Sequence, residues 1–306
     1  MKIKFWGVRG SIPCPGPDTV KYGGNTPCIE LRFNDINRQI IIDAGSGIRE
    51  LGNHMMANDL SKGPIDTELF LTHTHSDHIM GFPFFSPIYL KDTKLKIYGP
   101  VSFEDDTLKD IIGNQMSYRY FPVRQIELAS KIDYIELKEG PVTTKDDNIS
   151  VTAKFLNHPV LCLGYRFKYQ DKVVCTLYDS EPFQNIFTID PQDPSYDETM
   201  AHEGEETAQM QNELLENFLK NADLVIRDAQ YTQEEYQASK KGWGHTSMEY
   251  AIESSKKAGV KQLALFHHEP LYSDKKLDEL TEKFYSHNTT GNMEIFFAKE
   301  GMEIIL

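Results

Sequence analysis

Thr72-His73-Thr74-His75-Ser76-Asp77-His78 places three imidazoles and a carboxylate within six positions, a density that no packing role explains. Ahead of it, residues 67–72 read as a strand, so His73 and His75 project to the same side where the extended chain ends. Asp77 and His78 then fall on the following loop, free to turn back toward a second ion. Neutral imidazole nitrogen and carboxylate oxygen suit zinc, and also manganese or iron(II), while the absence of thiolates argues against a closed structural zinc site. The stretch therefore points to an open, hydrolytic metal site. The bland reading, a histidine-rich surface loop, is disfavoured because such loops seldom follow a buried apolar strand directly.

This arrangement resembles the metallo-β-lactamase-fold hydrolases, and the likeness continues along the chain. That family takes a further ligand from a histidine after a strand, and 149–158 supplies His158. It takes a bridging carboxylate from the end of a later strand, and 172–180 supplies Asp179. It takes a last histidine from another strand end, where 262–270 offers His267 and His268. The family pattern sets the ligand immediately after the apolar strand, whose last residue is Phe266, so His267 is the expected ligand and His268 the alternative. Asp43 matches the family's Asp-x-Gly turn and would orient a ligand.

The resemblance thus implies one divalent ion on His73, His75 and His158 and a second on Asp77, His78 and His267, with Asp179 and a hydroxide bridging them. Two divalent charges offset by two aspartates and a hydroxide leave one net positive charge, which suits a phosphodiester monoanion. Two ions roughly 3.5–4 Å apart would generate the nucleophile and stabilise charge on the non-bridging oxygens. Zinc is the expected metal, with manganese or iron as alternatives.

Two further motifs point to a branch. The stretch 223–231 followed by Gly242-Trp243-Gly244-His245-Thr246-Ser247 is similar to the RNase Z and cyclic-nucleotide phosphodiesterase-like branch, in which a Gly-His-Ser/Thr motif opens a helix. His245 would stand at a helix N-terminus, suited to protonate a leaving alkoxide or to bind a phosphate oxygen, with Asp228 orienting it; loop capping is the plainer role. Asp77, His245 and Asp228 form the expected catalytic set. Residues 5–13 and 22–28 are similar to the N-terminal signature of the same branch, with glycines letting the backbone pass close to the metals. Arg9 and Asn25 there are open between substrate contact and turn structure.

The 306 residues, 40% of them hydrophobic, can bury a large core, and a single domain over 1–306 is expected. Strands are expected at 2–6, 27–33, 38–43, 67–72, 94–98, 131–137, 149–156, 161–169, 172–178, 223–227, 261–266, 293–298 and 302–306. Helices are expected near 46–57, 103–116, 207–221, 247–258 and 274–287, with Thr246 and Glu249 as a capping box for the fourth. Met210, Leu214, Leu215, Phe218 and Leu219 read as a core-packing stripe. This order implies a four-layer αββα sandwich of two mixed sheets, with the metal ligands on loops along one edge.

Lys and Arg number 32 against 46 Asp and Glu, a net charge of −14. Such a balance disfavours long nucleic acids, which require a basic footprint. A transfer-RNA-processing RNase Z carries Gly-Asp-Thr where this chain has Tyr178-Asp179-Ser180, and a basic, glycine-rich arm. No such arm is visible: 101–148 scatters its cations among acids, and 186–208 holds seven acids and no Lys or Arg. That acidic stretch reads as a solvated loop, with a lid over the site as the sharper reading. His54, His202 and His287 read as surface histidines. Cys14, Cys28, Cys162 and Cys175 form no Cys-x-x-Cys pair and read as reduced thiols. Gly7 and Arg9 rule out a signal peptide in the first ten residues, and no segment is long enough to span a membrane, so a cytoplasmic location is expected.

The leading expectation is a dinuclear phosphodiesterase acting on a small or cyclic nucleotide-type diester. RNase Z-like RNA 3′ processing, a lactonase or thioesterase on the same scaffold, and a metal sensor without turnover are the alternatives. The expected partner is a small phosphodiester, not long nucleic acid or membrane, with room for a homodimer.

Overall fold

The alternation in Gln39-Ile40-Ile41-Ile42 sets the architecture: Ile40 and Ile42 join one buried cluster and Ile41 another. Side chains on a strand alternate between faces, so a strand apolar on both faces must lie between two packed layers. Leu224 and Ile226 likewise part from Val225, and Ala264 and Phe266 from Leu263 and Leu265.

The computed structural model describes residues 1–102, 105–286 and 293–306. Its strands are β1 (Lys2–Gly7), β2 (Cys28–Phe33), β3 (Arg38–Ile42), β4 (Asp66–Phe70), β5 (Lys94–Pro100), β6 (Lys131–Leu137), β7 (Gly140–Val142), β8 (Ile149–Leu156), β9 (Cys162–Tyr169), β10 (Lys172–Leu177), β11 (Leu224–Asp228), β12 (Gln262–Phe266), β13 (Glu294–Phe297) and β14 (Glu303–Ile305). One seven-stranded sheet runs β14-β1-β2-β3-β4-β5-β6 and the other β13-β12-β11-β10-β9-β8-β7. Both are mixed: β3 to β6 are parallel and β10 to β13 are parallel, with antiparallel pairs on the other flank.

The facing surfaces share a core that includes Phe5, Phe70, Tyr98, Tyr165, Phe167 and Phe266. Helix α1 (Ile48–Asn58), the short turn α2 (Ser76–Ile79) and α3 (Leu108–Asn114) lie with the outer face of the first sheet. Helices α4 (Glu198–Leu219), α6 (Met248–Lys257) and α7 (Asp274–Ser286) cover the second, with the single turn α5 (Gln233–Glu235) between β11 and α6. The expected αββα sandwich is the fold.

Several boundaries differ. The strand β7, only three residues long, was not expected. Helix α4 begins at Glu198, not 207, because Asp197 accepts the Met200 N–H (2.9 Å) and the first-turn acid suits the helix dipole. Half of the acidic stretch is therefore helix, and its seven acids all face solvent. Within the expected apolar stripe of this helix, Leu215 and Leu219 are buried whereas Met210 and Leu214 are exposed. The capping box expected at Thr246 and Glu249 does not form, and the cap falls one residue later. Ser247 caps α6 by accepting from Tyr250 N, while Thr246 is fully buried and Glu249 accepts from Gln233 N. The start of the helix expected at 103, the end of the one expected at 287, and the reading of His287 lie outside the described residues. His202 is exposed beside Glu206, and His54 packs on Trp6. All four cysteines are free, and Cys162 sits opposite Leu156 while Cys175 sits opposite Arg166. Among the described residues no helix is long and apolar enough to cross a membrane.

Candidate metal centre

Five strands end at one edge of the sandwich and each delivers a polar residue there. His73 and His75 follow β4, His158 follows β8, Asp179 follows β10, Asp228 closes β11 and His267 follows β12. Asp77 and His78, expected on a loop, sit on the buried turn α2. Asp43, Asp179 and His267 hold left-handed backbone at φ 60°, 37° and 62°. Such conformations are costly outside glycine and tend to collect at functional sites. Gly10 is required here, because a Cβ on it would lie 2.6 Å from His267 Nδ1.

The structure brings the seven expected ligands into two groups that share one carboxylate. His73, His75, His158 and Asp179 form the first, and Asp77, His78, Asp179 and His267 the second; within each, the candidate ligand atoms lie within 4.8 Å of one another. Asp179 Oδ2 lies 3.4 Å from His73 Nε2 and 3.9 Å from His158 Nε2. Its Oδ1 lies 3.2 Å from His78 Nε2 and 3.3 Å from His267 Nε2. Asp77 Oδ2 reaches His267 Nε2 at 3.1 Å and His78 Nε2 at 3.3 Å.

These residues fit divalent ions. His73 Nε2, His78 Nε2 and Asp179 Oδ1 are buried without a hydrogen-bond partner, an arrangement too costly to keep unless something else occupies them. The outer nitrogens are fixed so that the inner ones present lone pairs. His78 Nδ1 donates to Asp43 Oδ2 (2.8 Å), and Asp43 is itself held by Thr72 N (2.7 Å) and Thr72 Oγ1 (2.8 Å). His158 Nδ1 donates to the Gly244 carbonyl (2.9 Å). His267 Nδ1 donates to Gln230 Oε1 (3.1 Å), and the amide is oriented because Gln230 Nε2 donates to Glu269 Oε2 (2.8 Å). Ser11 N donates to Asp77 Oδ2 (2.8 Å).

Burial holds His73 and His75 below the ordinary imidazole range and His158 at about 4, so they remain neutral. For His78 burial acts downward, but Asp179, Asp77 and Asp43 outweigh it and raise the ring well above its ordinary value. Burial pushes Asp77 and Asp179 up, yet the surrounding imidazoles outweigh it and hold both carboxyls well down. An ion bound at His78 Nε2 would take the place of the proton that these carboxylates favour there.

His245 and Asp228 adjoin this cluster. His245 Nδ1 donates to Asp228 Oδ2 (2.8 Å), and Asp228 also accepts from Ser180 N (3.2 Å) and Gln230 N (3.1 Å). The His245 ring stacks on His267 with centroids 5.0 Å apart. Burial would lower its pKa, but Asp228 outweighs it and sets the ring at about 9, protonated at neutral pH. Asp179, Asp228, His245 and His267 could themselves surround a cation, but Asp228 already accepts from His245 and two backbone donors.

His268 points elsewhere. Its Nε2 donates to the Ala298 carbonyl (2.8 Å) and its ring lies against Tyr22 and Phe297. Arg9, fully buried, donates to the carbonyls of Gly23, Glu269 and Tyr272, and Asn25 is tied to Glu300 and Ser46, so both serve the turns. Sequence reasoning missed Gln230, Glu269, Glu181 and the Ser11 and Gly244 backbone groups. All but Glu181 lay within quoted stretches, but nothing in those stretches marked them for a role at the site.

The chain aligns along nearly its whole length with solved structures of the same two-sheet architecture. The metallo-β-lactamase fold protein YhfI from Bacillus subtilis superposes with a TM-score of 0.63 at 19% identity, covering 99% of this chain and 98% of that one. This chain has the metallo-β-lactamase fold. On that fold, the short form of human tRNase Z superposes at 0.60 (20% identity, 100% and 99% covered) and a diphosphatase of the PhnP family at 0.61 (14%, 100% and 97%). Among curated relatives, the Lactococcus lactis strain IL1403 protein named Ribonuclease Z is 26% identical over 98% of this chain and 99% of its own length. The Ribonuclease Z of Enterococcus faecalis is 25% identical over the same shares. No family model matches the chain. The names of these two relatives run toward RNA, against the expectation drawn from the acidic balance.

Proposed function

We propose that this metallo-β-lactamase-fold hydrolase is a metal-dependent phosphodiesterase, acting through two divalent ions, zinc, manganese or iron, on small or cyclic nucleotide-type diesters. The observation that carries the reading is the His245–Asp228 pair set against two ligand groups that share Asp179. Two ions bound there would activate water for attack and offset charge on the phosphoryl oxygens. Asp77, Asp179 and the five histidines would hold them. Asp228 fixes Nδ1 of His245, so Nε2 is the nitrogen left to deliver a proton to the departing alkoxide. Hydrolysis of a lactone or thioester would instead call for a group polarising a carbonyl, and a protonated imidazole aimed at a leaving oxygen fits the phosphoryl case better.

A second reading is favoured by the whole-length relatives named Ribonuclease Z: the same centre cleaves RNA near its 3′ end. It shares the bond and the chemistry and differs in the size of the substrate. The names of these two relatives support it more directly than they support a small substrate.

A panel of bis(p-nitrophenyl) phosphate, 2′,3′- and 3′,5′-cyclic nucleotides, a 3′-extended precursor tRNA and lactones, offered to metal-reconstituted protein, tests both. Turnover of cyclic nucleotides is the expected result. Cleavage of the precursor alone would establish the second reading, and turnover of lactones alone would overturn both.

A further inference from the structure

Beside His158 opens a cavity of about 490 Å³, walled by Pro159, Pro182, Phe183 and Ile186 on one side and by the backbone at Gly242 and Gly244 on the other. The glycine wall is held in place. The buried carboxylate of Glu181 accepts from Gly242 N (2.8 and 3.0 Å), Gly244 N (3.0 Å) and Tyr236 OH (2.7 Å). Gly244, at φ 81°, in turn carries the carbonyl that holds His158, and a side chain there would collide with that ring. One carboxylate thus links a wall of the cavity, a ligand of the first group and the loop that bears His245.

The charge of the lining says what fits. No Lys or Arg lines the cavity, and its one ionisable group besides His158, Glu181, is occupied by these donors. Along the same segment, Phe183 and Gln184 also line a neighbouring cavity whose far wall carries Glu205, Glu213 and Glu216 with a single cation, Lys257. A strand of phosphates running this way would meet uncompensated acid, and phosphate binding draws its affinity from cations. Apolar walls around a few polar groups in this volume suit one small organic group.

We propose that this cavity receives one uncharged, flat ester substituent of the phosphodiester, an aromatic ring or a nucleobase, so that the substrate is nucleoside-sized and not a continuing RNA strand. The inference rests on the phosphodiester reading above. Ile186, 87% exposed at the rim, can be changed without disturbing the core.

The test compares kcat/KM for bis(p-nitrophenyl) phosphate with that for methyl p-nitrophenyl phosphate, which share a leaving group and differ in the other substituent. Calorimetry with phenylphosphonate and methylphosphonate gives the matching ratio of Kd values. Ile186→Asp should lower the aromatic-to-methyl preference roughly tenfold or more in both ratios, and Phe183→Ala should move it the same way. Ile126→Asp, at an exposed residue outside the cavity's lining, should leave both ratios alone. Ratios that survive both cavity substitutions, or that fall equally with Ile126→Asp, would overturn the proposal while turnover of the diesters stands. If the wild-type protein cleaves neither diester, the phosphodiester reading itself fails and the cavity assignment falls with it.

Discussion

His267 and His268 are joined by one peptide bond, and that bond is the boundary between the reactive edge of the sandwich and its interior. Both rings are fully buried, so burial does not distinguish them. Their partners do. His267 sits on left-handed backbone with Nε2 against Asp77 and Asp179, whereas His268 gives its proton to a backbone carbonyl among aromatic rings. The edge sets its imidazole against two carboxylates; the interior sets its own among aromatic rings, with, among the described residues, no partner for Nδ1 and no carboxylate against it, and burial keeps that ring neutral, lowered to about 3. A buried histidine is read by what faces it, and an edge of unpartnered imidazole nitrogens and carboxylate oxygens is what a cation would complete.

The contrast can be broken most severely at Asp179, the carboxylate common to both ligand groups. Asp179→Ala should bring metal content to at most one ion per chain and turnover to background, measured by elemental analysis and diester hydrolysis. Two retained ions would remove Asp179 from the bridging position. Next comes His245→Ala, which should slow a cyclic nucleotide by roughly 10²- to 10⁴-fold while slowing bis(p-nitrophenyl) phosphate far less, because nitrophenolate departs without a proton. Equal losses on both substrates would assign His245 to phosphate binding or loop structure.

Smaller effects sharpen the comparison. Asp43→Asn weakens the group that sets the His78 tautomer and should cost about 10- to 100-fold in metal affinity by calorimetric titration; unchanged affinity would mean that Thr72 Oγ1, 3.5 Å from His78 Nδ1, suffices. On the interior side, His268 titrates near 3 in the fold against an ordinary 6.5. The unfolded chain therefore takes up the proton first, and stability present above 6.5 is lost as pH falls toward 3. Between pH 7 and 5 this one ring should account for about 2 kcal/mol, read as the difference in urea-unfolding slopes with pH between wild type and His268→Phe. Identical slopes would show that His268 titrates normally.

Much of this was legible in the sequence for a definite reason. The central strands announced themselves because both faces are apolar, the outer ones by alternation, and the ligand residues because imidazoles and aspartates stand at strand ends where no packing role suits them. What escaped has equally definite causes. The left-handed turns at Asp43, Asp179 and His267 depend on the edge around them and leave no local signature. Gln230 and Glu269 act on groups 37 and 39 residues distant, and Glu181 on Tyr236, Gly242 and Gly244 at 55, 61 and 63, so no spacing reveals them. The start of α4 was hidden because an acidic, polar run serves equally as loop or as the first turns of a capped helix. Thr246 and Ser247 are adjacent candidate caps, and only burial of the Thr246 side chain decides between them.

The central claim is that the edge holds two ions and that the boundary with the interior falls between His267 and His268. Calorimetric zinc titration of chelator-stripped wild-type, His267→Ala and His268→Ala proteins at neutral pH, with ion content checked by elemental analysis, tests it most directly. The account predicts two ions for wild type and for His268→Ala, and loss of one for His267→Ala. Two ions retained by His267→Ala with one lost by His268→Ala, or one ion or none in the wild-type protein, would contradict it.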